Sequence, residues 1–203
     1  THKKQTGGSG QFAKVGGYFE PTEDGTHYEF VNNIVGGVIP KEYQPSCDKG
    51  FQQAMAEGGL IGFPVVGIRA CIDDGSFHPV DSSDMAFQLA SRAAFREAYM
   101  QAKPVILEPI MKVAVDTPEE FAGTVLGTLN KRRGVILGNE SKYGTSSIEG
   151  EVPLSEMFGY SNELRSSTQG KAEFSMEFKK YGAVPRQIQL DLVKEYQDKR
   201  SNS

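Results

Sequence analysis

Apolar residues recur along this chain at two spacings, every second position over short runs and every third or fourth over longer ones. Alternation with strand-prone residues predicts strands over Phe12–Phe19, interrupted by Gly16 and Gly17, and over His27–Ile34, with Tyr28 and Phe30 on one face and Val31 on the other. Tyr43, Cys47, Phe51 and Met55, spaced by four, predict a helix from Lys41 to Glu57, with Pro40 suited to its start and Pro45 splitting off its first turn. A strand over Val65–Ile72 then leads to an Asp74-Gly75 turn and a loop carrying His78-Pro79. In the helix that follows, Asp81, Ser82 and Ser83 can accept from the amides of the first turn, and Asp84 suits its positive end. Met85, Leu89, Ala93 and Tyr99 or Met100 form the face that this helix is expected to bury.

Lys103-Pro104 is the predicted boundary, because proline cannot continue the preceding helix. Beyond it the pattern reads strand Val105–Val115, helix Pro118–Arg132, strand Gly134–Glu140, loop Ser141–Thr145 and strand Ser146–Val152. Helix Leu154–Leu164, strand Lys171–Phe178 and a closing helix Pro185–Lys199 complete it. This βαββαβ order predicts a four-stranded sheet with two helices on one face, the ferredoxin-like arrangement. The organisation expected is therefore α+β: one domain over residues 1–103, a second over 104–184, and a helix with a frayed tail over 185–203.

Composition changes this picture little, since 38% hydrophobic and 24% charged residues are ordinary for a globular chain. The net charge of -4 argues against a protein that coats nucleic acid electrostatically, though not against contact with RNA through a few loops. Two cysteines, Cys47 and Cys71, are too few for a disulfide framework and read as small side chains in a reducing compartment. Histidines at positions 2, 27 and 78 have no metal-ligand spacing. No apolar run approaches the roughly 18 residues that span a bilayer, and nothing resembles a signal peptide. The opening Thr-His-Lys-Lys, without Met, reads as part of something longer.

Residues 1–11 read as a polar loop with two lysines and several glycines. Its amides and Gln side chains could meet phosphates, or it could be a plain hairpin turn. The GxxxxGK[ST] spacing of a P-loop is missing. Lys131-Arg132-Arg133 suits the negative end of a helix better than an RNA contact, and Met157-Phe158 reads as core. Asp73-Asp74 and Glu119-Glu120 sit at turns and helix starts, and no Ser-His-Asp or Cys-His set can be assembled.

Several runs carry a resemblance. His2 to Gln11, Ile34-Val35-Gly36-Gly37-Val38-Ile39-Pro40-Lys41-Glu42-Tyr43, Gly75-Ser76-Phe77-His78 and Val80-Asp81-Ser82-Ser83 resemble the fourth domain of the elongation factor G family. Leu107 to Met111, Asn130 to Gly134, Val152 to Tyr160 and Leu164 to Gly170 resemble its fifth domain. The resemblance implies a ribosomal-protein-like α/β domain with a left-handed crossover, its first strand lying before Thr1, followed by the ferredoxin-like domain. It also implies that GTP and magnesium belong to upstream domains, with no cofactor or metal in this segment and no catalysis by it.

The partners implied are the ribosome (ribosomal RNA and the tRNA–mRNA duplex) and the factor's own upstream domains. No membrane is implied, and the protein is expected to be a monomer in a bacterial cytoplasm or a mitochondrion. The implied role is to promote translocation by inserting a tip into the decoding centre, built here from Gly7, Gly8, Ser9, Gly10, Gln11, Ser76, His78, Pro79 and Asp81. The implied large-subunit contact comprises Ser141, Lys142, Tyr143 and Gly144 together with Glu156, Phe158 and Tyr160. In the family the tip usually carries an arginine at the place of Ser9, and often Tyr-Gly at Phe12-Ala13, so a possible phosphate contact is lost here. A paralogue specialised in ribosome recycling is the alternative. A free-standing α/β enzyme is a third reading, opposed by the missing catalytic set.

Overall fold

Alternation and helical spacing resolve into two α+β units in the computed structural model, which describes residues 1–5 and 10–203. The first unit comprises residues 1–104 with 190–203, and the second residues 105–189.

In the first unit, strands β1 (His2–Lys4), β2 (Gln11–Pro21), β3 (Tyr28–Asn32) and β4 (Ile68–Ser76) form one sheet in the order β1-β2-β4-β3. β3 and β4 run parallel and the other neighbours antiparallel. The segment expected to be a loop over residues 1–11 thus contributes a strand, with His2–Lys4 pairing back on Gln11–Ala13. Helices α1 (Gln44–Glu57, preceded by a 3-10 turn over Lys41–Tyr43) and α2 (Asp84–Gln101) supply the rest of the core. Phe19 meets the rings of Phe51 and Phe95 edge-on at 5.1 and 5.4 Å, the geometry that aromatic quadrupoles favour.

Two expectations fail here for physical reasons. The predicted Asp74-Gly75 turn is strand: Gly75 pairs with Val15, and a Cβ there would lie 2.5 Å from the Lys14 carbonyl oxygen and 2.6 Å from Ile39 Cγ1. That glycine answers a close approach, not a change of direction. The buried face of α2 is also not the one expected. Phe87, Ala90, Ser91 and Phe95 are buried, while Met85 and Met100 are exposed. Of the three expected capping groups only Ser83 acts, its Oγ accepting from Ala86 N–H at 3.1 Å.

The second unit is a sheet of β5 (Leu107–Pro118), β6 (Val135–Lys142), β7 (Thr145–Pro153) and β8 (Glu173–Ala183), antiparallel throughout in the order β6-β7-β5-β8. Helices α3 (Ala122–Lys131) and α4 (Tyr160–Ser167) pack on one face, where Val113, Val115, Ile148 and Val152 meet Val125, Leu129, Tyr160 and Leu164. This is the ferredoxin-like order. The helix expected over Leu154–Leu164 is broken into a 3-10 turn (Leu154–Glu156) and α4, because Gly159 at φ 78° interrupts it. The loop expected over Ser141–Thr145 shrinks to the two-residue turn Tyr143-Gly144, with φ 53° and 81°, and its flanking residues join the strands. The closing helix α5 runs Arg186–Ser201. No helix among the described residues is long and apolar enough to cross a membrane.

Candidate nucleic-acid interface

β4 ends at Ser76, and the chain then crosses to α2 through a loop that folds back on the start of β2. Phe12 N–H donates to the Asp81 carbonyl at 2.9 Å, and Ser82 Oγ donates to the Phe12 carbonyl at 2.7 Å. Within the loop, His78 N–H donates to Ser82 Oγ at 2.9 Å and Ser82 N–H returns to the His78 carbonyl at 3.0 Å. Ser82, expected to cap the helix, instead ties the loop to the strand. Gly10 completes the contact: a Cβ there would lie 3.2 Å from the Lys4 carbonyl oxygen and 3.3 Å from the Asp81 carboxyl. Three sites in the sequence, Lys4, Gly10–Phe12 and His78–Ser82, are thereby brought into one tip.

The imidazole of His78 is oriented from within. Val80 N–H and Asp81 N–H both lie 3.3 Å from Nδ1, so in neutral histidine the proton resides on Nε2. Asp81 Oδ2 stands 3.4 Å from the same Nδ1. His78 keeps 54% of its side-chain surface exposed. The structure therefore joins His78, Pro79 and Asp81 to Gly10 and Gln11, with Ser76 at the strand end. Gln11 Oε1 accepts from His2 Nε2 at 2.9 Å, a partner that the sequence reading missed. Gly7, Gly8 and Ser9 lie outside the described residues.

The second candidate surface separates into two. Ser141 to Gly144 form one end of the β6–β7 hairpin, and Glu156 to Tyr160 follow the far end of β7. Nine residues of strand lie between them, about 30 Å at the usual rise. At the hairpin end Tyr143 is 95% exposed, with Lys142 Nζ 5.3 Å from its ring centroid, while Ser141 Oγ is bonded to Ser146 Oγ at 2.7 Å.

At the other end, Tyr160 is fully buried, its hydroxyl 3.0 Å from Thr128 Oγ1, so it is core and not contact surface. Glu156 is engaged by Arg133, whose Nε lies 3.1 Å from Oε1 and whose two terminal nitrogens clasp Glu108 at 2.8 and 3.1 Å. Met157 is buried, but Phe158, also read as core, is 78% exposed. The basic run expected to serve the helix end is spent on these ion pairs: Arg132 Nε donates to Glu163 at 2.9 Å, and Lys131 lies 3.5 Å from the same carboxylate.

Arg132 holds the Glu163 carboxyl below its ordinary range by donating to its charged form. A carboxyl depressed in the folded state adds stability above its unfolded pKa, and loses it as pH falls through the folded value. Glu163→Gln should therefore lower the melting temperature at pH 7, and the gap from the parent protein should narrow steadily as the pH is lowered below about 4. Thermal denaturation across that range checks the sign; a gap that widens on acidification would refute it.

Residues 1–103 match the family described as elongation factor G, domain IV, and residues 105–192 that described as elongation factor G C-terminus. A mixed domain of this order followed by a ferredoxin-like one is the C-terminal domain pair of a translation elongation factor. Proteins named elongation factor G 1 from Treponema pallidum (strain Nichols) and Borreliella afzelii (strain PKo) are each 62% identical, over 98% and 100% of this chain. An elongation factor G 2 from Bdellovibrio bacteriovorus is 54% identical over 99% of it. A crystal structure of a Thermus thermophilus protein superposes with a TM-score of 0.82 at 42% identity, covering 97% of this chain and 29% of that one. The chain belongs to the elongation factor G family, and it spans 29% of the length of these curated relatives.

Proposed function

We propose that these two units are the ribosome-engaging part of a factor that promotes GTP-dependent translocation of tRNA and mRNA during protein synthesis. The first unit's tip enters the decoding centre, and the second unit meets the large ribosomal subunit. The observation that carries this reading is the cross-bonded tip, in which strand and loop are locked together beside a His78 side chain that stays 54% exposed. An imidazole on a tip held by cross-strand hydrogen bonds suits the shallow minor groove of an RNA duplex, where 2′-hydroxyls and phosphates are read by shape without base specificity. The chain's net charge of -4 is compatible with such a local contact and not with general coating of RNA.

GTP and its magnesium would be held by upstream domains of the full-length factor; this sequence carries no GxxxxGK[ST] phosphate-cradling motif. What this chain contributes is reach and orientation. Replacement of His78 by alanine in the full-length factor tests the reading. Single-round translocation should slow while ribosome-stimulated GTP hydrolysis persists. Unchanged translocation with a defect confined to subunit splitting would favour a recycling factor instead.

Ser9, where the family usually carries arginine, gives a second test of contact with RNA. Ser9→Arg should tighten ribosome binding at low salt by up to about tenfold, and the gain should vanish as salt rises, because one added phosphate contact raises the salt slope by about one. A gain indifferent to ionic strength would exclude a phosphate partner.

A further inference from the structure

We infer that Arg132 is the positioning residue for Phe158: its guanidinium grips two carbonyls of the turn that carries the exposed phenyl ring, and so fixes that ring for contact with the large ribosomal subunit. The inference rests on the proposed large-subunit contact of the second unit and names its anchor and the anchor's support.

Arg132 reads in the sequence as a helix-end charge, and the structure gives it a more specific place. Only 15% of its side-chain surface is exposed. Nε and Nη2 donate to Glu163 Oε2 at 2.9 and 2.5 Å. Nη1 donates to the Phe158 carbonyl at 3.1 Å and to the Glu156 carbonyl as well. The guanidinium plane also lies over the Tyr160 ring, 5.1 Å from its centroid, and that ring is anchored in the core. One planar fork therefore connects the core, α4 and both ends of the Glu156–Phe158 segment, a geometry that a lysine's single ammonium cannot reproduce.

What this clamp holds in place is an exposed ring. Phe158 sits between buried Met157 and buried Tyr160, yet its own ring is 78% exposed. Gly159 at φ 78° turns the chain immediately after it. A ring held in place by a fixed turn is pre-organised for contact, and an aromatic face is a surface on which an unpaired RNA base can stack. The surrounding charges balance: Lys131, Arg132 and Arg133 are met by Glu108, Glu156 and Glu163, so the rim does not repel RNA while the ring does the contacting. Glu156 and Tyr160 are both committed inside the unit, which leaves Phe158 as the group of this segment that faces outward.

The test is a double-mutant cycle in the full-length factor, read as affinity for purified large ribosomal subunits. Phe158→Ala should weaken binding about tenfold, as truncation of an aromatic anchor does. Arg132→Lys keeps the charge but loses the fork, and should weaken binding to a similar extent. The double variant should be no weaker than Phe158→Ala alone, because coupled residues fail to add. The salt dependence of binding should be the same in Arg132→Lys as in the parent protein. A 4-fluorophenylalanine at position 158 gives a reading independent of binding: its 19F resonance should move toward the solvent-averaged position in Arg132→Lys while the melting transition stays cooperative.

Fully additive losses, an unmoved 19F signal, or a salt slope smaller by about one would overturn the positioning role. Unchanged affinity in Phe158→Ala would overturn it too. That outcome leaves the tip reading intact, since that reading stands or falls on His78→Ala and translocation.

Discussion

His78→Ala in the full-length factor is expected to slow single-round translocation by about tenfold to a hundredfold, the equivalent of a lost hydrogen bond of about 1.5–3 kcal/mol in a partly desolvated contact. The backbone should survive the change. Phe12 N–H still reaches the Asp81 carbonyl, and Ser82 Oγ still bridges His78 N–H and the Phe12 carbonyl, because none of these bonds uses the imidazole. The substitution strips Nδ1 from the Val80 and Asp81 amides, which water satisfies at this exposed site, and removes the exposed imidazole from the tip. His78→Gln, whose amide offers a donor from a different position, should recover part of the rate. Stopped-flow or quench-flow measurement of tRNA movement with GTP hydrolysis followed in parallel checks both variants. A parallel fall in both rates would mean that the tip acts before hydrolysis, and would count against the proposal.

How much of this was legible in the sequence depends on the range over which each contact is made. The second unit's strands alternate against helices close by in the chain, so Met111, Val113 and Val115 announce their buried face within a single segment. α2 was misphased because it carries two apolar stripes. Met85 and Met100 look like core from their residue type, whereas the buried stripe includes polar Ser91 and Gln88. Those two polar residues face α1: Gln88 donates to Asp84 at 2.6 Å and accepts from Gln53 at 3.3 Å, and Gly50 approaches the same turn. Only the partner helix makes a polar position buried, and a single helical wheel does not contain its partner.

The site divides the same way. His78 and Ser82 are four residues apart and readable as one loop, but the strand that locks them comes from Phe12, seventy positions earlier. Arg132 and Arg133 read as helix-end charges because their partners Glu163, Glu156 and Glu108 are 23 to 31 residues away. Ser141–Gly144 and Glu156–Tyr160 look adjacent along the chain, yet an extended strand between them carries them apart. Glycine is the residue whose purpose is hardest to read. Gly144 and Gly159 are needed for positive φ, and Gly75 for space, and nothing in the local sequence separates the two uses.

Gly75→Ala is expected to destabilise the first unit, and it bears on how the tip is aimed. A Cβ at this position would sit 2.5 Å from the Lys14 carbonyl oxygen and 2.6 and 2.7 Å from Ile39 Cγ1 and Cδ1. The Lys14 carbonyl belongs to β2, whose residues 14–16 pair with 74–76, so it cannot retreat without opening the sheet next to the tip. Ile39 is fully buried in the core of the first unit. Overpacking of this kind costs about 1–3 kcal/mol, and the upper half of that range applies where backbone is the obstacle. A loss of that size lowers the melting temperature by about 4–12 °C in a protein of this length. Gly138→Ala is the matching control, in an open stretch where a Cβ meets nothing within 4 Å, and it should melt within a degree or two of the parent protein. Since β4 delivers the chain directly to His78, Gly75→Ala should also slow translocation at temperatures where the protein remains folded. A destabilised protein with normal translocation would show that strand and tip are mechanically independent.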